Sequence, residues 1–321
     1  MAYLVTGGTG YLGSYVVRDL LNEGKEVVCL QRSGVTPVAR EIIGEDNIDR
    51  IKIVQGDVSN IVQLFDVIRE YGIDLIVHIA YAMPPLTELK PAYAFGVNCG
   101  GMNNVLEAAR LFGLKRVVWP SSAHVFGRIH EFYKKPVGDD DGIYMPNSMY
   151  GATKALNELM AKLYFDKFGT DSICFRLGLI YGIGRWHGVL GVFTELLRKA
   201  ALNITVMIGE PDLIKSYLYI EDAADVIVKA CDVPTTKKRV FNVIEGQYTN
   251  RQLLETIRKI NPDSRVTLGK KQASKDVFLQ PPKVTAIGVQ AELGWQPKYS
   301  LEDGLRKVFN YFRQNEGMPL L

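Results

Sequence analysis

The stretch YLVTGGTGYLGSYVV, residues 3 to 17, constrains the fold more than any other part of this chain. Tyr3-Leu4-Val5 is a short apolar run of the kind that forms a buried strand. Glycine then recurs at Gly7, Gly8, Gly10 and Gly13, and apolar residues resume at helical spacing from Tyr11 to Asn22. A strand that turns through glycines directly into a helix is the first half of a βαβ unit, whose next strand returns parallel to the first. The chain keeps that rhythm. Val27-Val28-Cys29-Leu30, Ile51-Lys52-Ile53-Val54, Leu75-Ile76-Val77-His78-Ile79 and Val117-Val118-Trp119 are short and rich in β-branched residues, and Asp171 to Phe175 adds a sixth candidate. Amphipathic stretches at 61–71, 98–112 and 148–168 separate them. The pattern predicts an α/β protein with a doubly wound parallel sheet, its first strand at the centre and helices on both faces.

After Gly178 the rhythm loosens. Helix-like stretches at 190–202, 221–231 and 250–260 alternate with the short apolar runs Thr205-Val206-Met207-Ile208 and Val240-Phe241-Asn242-Val243, while 262–297 holds most of the late prolines and no long periodic run. Residues 1–178 are expected to form the first domain, with segments near 215–245 returning to it, and 179–321 mainly a smaller C-terminal α/β lobe. With 47% hydrophobic and 23% charged residues among 321, the chain has the composition of a folded globular protein. The formal charge of +3 and the lack of any run of about five or six like charges give no basis for nucleic-acid binding. No run approaches the ~20 apolar residues of a membrane span, and Leu4-Val5-Thr6 is too short for the apolar part of a secretory signal, so a cytoplasmic protein acting on a small molecule is expected. Cys29, Cys99, Cys174 and Cys231 are too scattered for a zinc or disulfide framework, and burial without a metal is expected.

A helix N-terminus leaves backbone N–H groups unpaired and carries a partial positive charge, so it attracts phosphate. Glycines before it let a pyrophosphate approach the backbone without meeting a Cβ. A glycine-rich turn with no ligand reads the same in isolation, but Gly7-x-x-Gly10-x-x-Gly13 stands between a strand and a helix in the order a dinucleotide requires. The cofactor type is written at the end of the second strand. An acid there would hold the adenosine ribose hydroxyls, whereas this chain has Gln31-Arg32-Ser33. Arg32 offers a guanidinium fork to a 2′-phosphate, or is simply a surface arginine at a strand end; NADP is favoured over NAD. Asp57, in QGDV, is the expected partner of the adenine amino group.

In SMYGATKALNELM, Tyr150 and Lys154 stand four apart at the start of a helix, hence on one face. A phenol is a poor base at neutral pH, but a nearby ammonium stabilises the phenolate and eases proton exchange with a hydroxyl. Sixteen tyrosines should give about one such spacing by chance, so the pair needs support. WPSSAHVFG supplies it, with Ser121-Ser122 expected just past the end of the fifth strand, where such sheets bind ligands. A serine there can hold the reacting oxygen of an alcohol or carbonyl, or merely cap a turn.

These motifs, with VHIAYA (77–82), VNCGGMNNVLEAA (97–109), RLGLIYG (176–182), KSYLYIEDAA (215–224) and LGWQPKYSLEDGL (293–305), resemble an extended short-chain dehydrogenase/reductase of the NAD-dependent epimerase/dehydratase family. The resemblance implies a Rossmann-type sheet holding NAD(P), a substrate cleft under the C-terminal lobe, and a homodimer formed by the helices near 98–112 and 150–168. It implies Ser122, Tyr150 and Lys154 as catalytic residues. It also implies cofactor contacts from Gly7, Gly10, Tyr11, Leu12, Gly13, Gln31, Arg32, Asp57, Val58, Ile79, Ala80, Asn98 and Lys154.

Several positions depart from the family pattern. Where family dehydratases carry an acid pair this chain has Ala123 and His124, which disfavours 4,6-dehydration. The asparagine of RxxNVYG is Leu179, the usual Ala-Ala after the fourth strand is Ala80-Tyr81, and the usual Arg-Asp is Lys215-Ser216. Tyr81, Met83, His124, Leu179 and Lys215, with Arg185 and Trp186 of the loop GIGRWHG, are the candidate substrate residues; Arg185 and Lys215 suit an anion. His187 shares that loop, and His78 reads as strand core. The expected activity is hydride transfer at a secondary alcohol or ketone carbon, as a sugar-nucleotide epimerase-like enzyme or a reductase/dehydrogenase. The alternative is a catalytically silent NADP-sensing protein of the same fold.

Overall fold

The computed structural model describes residues 1–127, 135–185, 188–270 and 283–321. Seven strands build the main sheet: β1 (Ala2–Thr6), β2 (Glu26–Gln31), β3 (Ile51–Gln55), β4 (Ile73–His78), β5 (Arg116–Ser122), β6 (Ser172–Leu177) and, much later in the chain, β10 (Val240–Val243). All pairings are parallel, in the order β10-β6-β5-β4-β1-β2-β3. The middle strand is therefore β4, with β1 beside it, which corrects the expectation of a central first strand. Successive side chains of each strand enter opposite cores. Tyr3, Val5, Cys29 and Val77 join one apolar cluster, and Leu4, Val28, Leu30 and Ile76 join another. Burying each large aliphatic side chain contributes roughly 1.5–3 kcal/mol, which is why these runs read as continuously apolar.

The helices of the first half are α1 (Tyr11–Asn22), α2 (Pro37–Ile43), α3 (Glu45–Ile48), α4 (Ile61–Tyr71), α5 (Leu86–Leu89), α6 (Pro91–Phe95), α7 (Gly101–Phe112) and α8 (Met149–Phe168). The helix expected from Asn98 begins earlier: α6 starts with Pro91 and runs into α7 through a π-helical turn, Gly96–Gly100. Ser148 caps α8 by accepting from Gly151 N at 3.0 Å, and Gly169, at φ +69°, ends it.

Beyond β6 lie β7 (Leu179–Tyr181), α9 (Gly188–Ala201), β8 (Val206–Ile208), β9 (Ile214–Tyr219), α10 (Ile220–Asp232), β11 (Gly246–Thr249), α11 (Asn250–Ile260), β12 (Val266–Leu268), α12 (Ile287–Leu293) and α13 (Leu301–Asn315). Strands β11, β9 and β7 form a small mixed sheet, and β8 pairs with β12. The proline-rich segment 262–297 thus contains a strand and a helix too short to leave a periodic signal. α10 packs against α1 and β10 completes the edge of the main sheet, so the chain crosses back after building β9. All four cysteines are buried and unbonded. Among the described residues no helix is long and apolar enough to cross a membrane, and no cluster of His, Cys, Asp or Glu is set to hold a metal.

Candidate active site

A cavity of about 560 Å³ opens along the C-terminal ends of the main-sheet strands and continues towards β7 and β9. At one end it is lined by Gly7, Gly10, Tyr11 and Leu12 of the β1–α1 turn. Gly7 sits at φ +71°, and a Cβ there would lie 2.9 Å from Ala80 N; a Cβ on Gly13 would lie 2.1 Å from Gly7 O. Gly7 is required both by its positive φ and by contact, Gly13 by contact alone, and Gly13 packs beneath the turn instead of lining the cavity. α1 starts at Gly10 with no side-chain cap and no acid in its first turn, so its free N–H groups face the cavity end unopposed. Gln31 and Arg32 follow at the end of β2, Asp57 and Val58 after β3, Ile79 and Ala80 after β4.

Buried Tyr11 Oη and Gln31 Nε2 have no hydrogen-bond partner among the described residues, and orphaned polar atoms beside a bare helix N-terminus fit a dinucleotide. Gln31 Oε1 accepts from Thr9 Oγ1 at 2.7 Å, which leaves the amide nitrogen to donate. Exposed Arg32 donates to the Tyr93 hydroxyl, with its guanidinium carbon 6.0 Å from the Tyr93 ring centroid. Asp57 Oδ1 accepts from Ser59 N and Oγ at 2.9 and 2.8 Å. Asn98 is placed differently. Its side chain accepts from Ala82 N at 2.7 Å and donates to Ala82 O at 3.1 Å, so it braces the β4 loop and does not line the cavity.

The chemistry-bearing groups stand midway. Ser122 is the last residue of β5, not a residue beyond it. Its Oγ accepts from His124 N at 3.2 Å, and it lines the cavity together with Tyr150. The cap and the site serine are thus one residue. Burial pushes the Tyr150 phenol up to about 12, against the influence of the Ser122 hydroxyl and the positive field of Arg185, which both pull it down. Lys154, one turn on, donates to the Pro120 carbonyl at 2.5 Å. Burial pulls its ammonium down to about 7, opposed by groups that include Glu158. The Lys154 ammonium does not lie nearest Tyr150, as the helix spacing alone suggested. It is 3.4 Å from the Tyr81 ring centroid and 5.9 Å from that of Tyr150.

Sequence reasoning missed the layer below. Glu158 pairs with Arg176 (Nη2 to Oε2, 2.7 Å), and both side chains are almost wholly buried. Tyr144 donates to the same carboxylate at 2.9 Å, and so does Ser121. The detectable signal was the spacing Lys154 to Glu158, a second step of four along the face that carries Tyr150. His78 is strand core, its Nδ1 2.8 Å from Thr6 Oγ1, and burial pulls its pKa down to about 3.

Tyr81, Met83, His124, Leu179, Arg185 and Lys215 all line the same cavity; Trp186 and His187 lie outside the described residues. His124 meets Tyr150 edge to face at 5.5 Å, and burial lowers its pKa, so its ring is neutral. Arg185 stands over Tyr11, 5.7 Å from the ring centroid, with its Nε buried and without a partner among the described residues. Burial lowers the pKa of both Arg185 and Lys215, and neither is ion-paired to a described residue. Among the described residues the cavity is therefore lined by Lys154, Arg185 and Lys215 beyond Arg32 at the end of β2, against a single carboxylate, Asp57, after β3.

The model of the NAD dependent epimerase/dehydratase family matches residues 3–244. The UDP-glucose 4-epimerase of Mycolicibacterium smegmatis is 27% identical over 327 residues, covering 98% of this chain and 99% of that protein. The crystal structure of Thermus thermophilus UDP-glucose 4-epimerase in complex with NAD superposes with a TM-score of 0.81 at 24% identity, over 98% of this chain and 99% of that one. L-threonine dehydrogenase from Clostridium difficile gives a TM-score of 0.84 at 23% identity over 98% of each chain, so one fold serves both kinds of named enzyme. The chain belongs to the NAD dependent epimerase/dehydratase family, within the extended short-chain dehydrogenases/reductases, and is an NAD(P)-dependent oxidoreductase or epimerase.

Proposed function

We propose that this enzyme transfers a hydride at the secondary alcohol or ketone carbon of a small compound that also carries an anionic group. The observation that carries the reading is that Ser122, Tyr150 and Lys154 line the same cavity as the glycine turn. A bound nicotinamide supplies or accepts the hydride. Ser122 donates a hydrogen bond to the reacting oxygen as charge develops there. Tyr150 gives its phenolic proton to that oxygen in reduction and takes it back in oxidation. The Tyr150 phenol is protonated at neutral pH, and burial holds it further so, which suits protonation of a carbonyl in the resting site. The positive charges of Arg185 and Lys154 ease the phenolate left behind.

Arg185 and Lys215 are assigned to the anionic group, since a substrate anion would relieve two half-buried cations that have no ion-pair partner among the described residues. Leu179 offers no amide to a diphosphate and Tyr81 narrows the site, which favours a compound other than a nucleotide sugar. The name UDP-glucose 4-epimerase carried by a full-length relative favours a second reading, in which the oxidised substrate is retained and reduced again on its other face. The end of β2 has no acid, and the Gln31 amide and Arg32 are donors only in that direction, so NADP is the favoured cofactor. Pairing of two copies through α7 and α8 completes the proposal.

The test is to incubate the protein with NADPH or NADH and keto compounds with and without a carboxylate or phosphate, following nicotinamide absorbance. Oxidation of the cofactor by the anionic ketones supports the reading. Interconversion of a UDP-hexose without net redox favours the epimerase. Tyr150→Phe should cut either turnover by roughly 10²–10⁴-fold; an unchanged rate would replace the mechanism with a redox-silent binding role.

A further inference from the structure

We propose that Tyr81 is a positioning residue that holds the Lys154 ammonium, charged and in place, on the face of its ring. The inference rests on the reading above for its effect on turnover, though not for its physical basis. The Lys154 Nζ lies 3.4 Å from the ring centroid, the distance of a direct cation–π contact. The ring itself is pinned. Its hydroxyl donates to Thr153 Oγ1 at 2.8 Å, Thr153 donates in turn to the Tyr150 carbonyl at 2.9 Å, and the ring meets Tyr150 edge to face at 5.7 Å. Tyr81 is therefore bound to the helical turn that connects the two site residues, and it touches both.

Lys154 needs such a partner. Its only hydrogen-bond acceptor among the described residues is the Pro120 carbonyl, so most of its charge is unanswered. The groups facing it are Glu158 from its own helix, Cys174 from β6, Cys99 from the π turn before α7, His78 from β4, Trp119 from β5 at 5.9 Å, and Tyr150. Glu158, the one carboxylate in that set, is taken up by Arg176, Tyr144 and Ser121. The thiols have their pKa values raised by burial and stay neutral, and so does His78. Without the Tyr81 face, burial would favour loss of the ammonium proton. A small residue at position 81, as in the family pattern, provides no such face; this chain places a large aromatic there.

Two substitutions separate the face from the rest of the side chain. Tyr81→Phe keeps the ring and loses the bond to Thr153, while Tyr81→Leu keeps apolar bulk and loses the face. The protein is labelled with ¹³Cε-lysine, the Lys154 resonance is assigned through Lys154→Arg, and the cofactor-free chain is titrated. Wild type and Tyr81→Phe should titrate together, and Tyr81→Leu about one pH unit lower. Tyr81→Met repeats the measurement if Leu disturbs folding. Leu and Met variants that titrate with the wild type, or a Phe variant that shifts as far as they do, would overturn the proposal. In turnover, the alkaline limb of kcat should move to lower pH in the Leu variant. If the resonance moves and the kcat limb does not, the Tyr81 contact stands and the catalytic assignment of Lys154 fails.

Discussion

At the end of β2, one side chain shows how far a single position can bias the choice of cofactor. Arg32 is exposed, but the Tyr93 hydroxyl from α6 holds its guanidinium, so part of the entropy of ordering a long side chain is already lost before any ligand arrives. Gln31 beside it presents a buried amide nitrogen without a partner among the described residues, a donor that accommodates an acceptor-only 2′-phosphate where a carboxylate would repel it. Arg32→Ala should weaken NADP binding by about 1.5–3 kcal/mol, the range of a hydrogen bond to a charged group, and leave NAD nearly unchanged. Tyr93→Phe should give a smaller loss in the same direction. Titration of each variant with both cofactors checks this; equal weakening of NAD and NADP would remove the 2′-phosphate assignment.

Among the elements, α8 does two jobs through one period. The face with Tyr150, Lys154 and Glu158 points inward, and Glu158 binds the helix to β6 through Arg176. The same carboxylate reaches Ser121, next to Ser122, so the serine and the tyrosine are referred to one buried ion pair. Breaking such a pair by removing one partner leaves a buried charge uncompensated. Arg176→Met should therefore destabilise the fold by about 3–5 kcal/mol, measured by urea unfolding at neutral pH. A loss under about 1 kcal/mol would mean that Glu158 finds water or another donor, contrary to its full burial.

For the whole molecule, the outward side of α8 is the informative surface. Met149, Leu156, Leu159 and Leu163 are exposed at spacings of seven, three and four, a stripe along one side of the helix, and Leu111 of α7 is also exposed. Exposed apolar residues grouped on one helix side are a common mark of an interaction site, and the proposed pairing of two copies through α7 and α8 would bury them in a four-helix contact. If two copies pair there as proposed, Leu159→Glu combined with Leu163→Glu should leave single chains in light scattering, with the far-ultraviolet circular dichroism unchanged. Unaltered mass in that variant would exclude this face.

Much of the architecture was legible because its signals are local. Glycine spacing, runs of β-branched residues and helical periodicity identify all seven strands of the main sheet and the long helices except α13, since each depends on neighbours within a few residues. Ser122, Tyr150 and Lys154 were legible for the same reason, as motifs fixed at the ends of those elements. β7, β9, β11 and β12 were not, because LIY, IKSYLY, GQYT and VTL carry no sustained β-branched run and are defined by the partners they pair with. Nor were the contacts that give the site its chemistry. The sequence puts Lys154 one turn from Tyr150, but packing decides that its ammonium lies on Tyr81, 73 positions earlier in the chain, and that Arg185 supplies the field on Tyr150. The sequence by itself determined the main-sheet strands, most of the long helices and the residue types at the strand ends. Only the tertiary structure decided which charge meets which ring, because burial sets the strength of those contacts and burial is a property of the assembled chain.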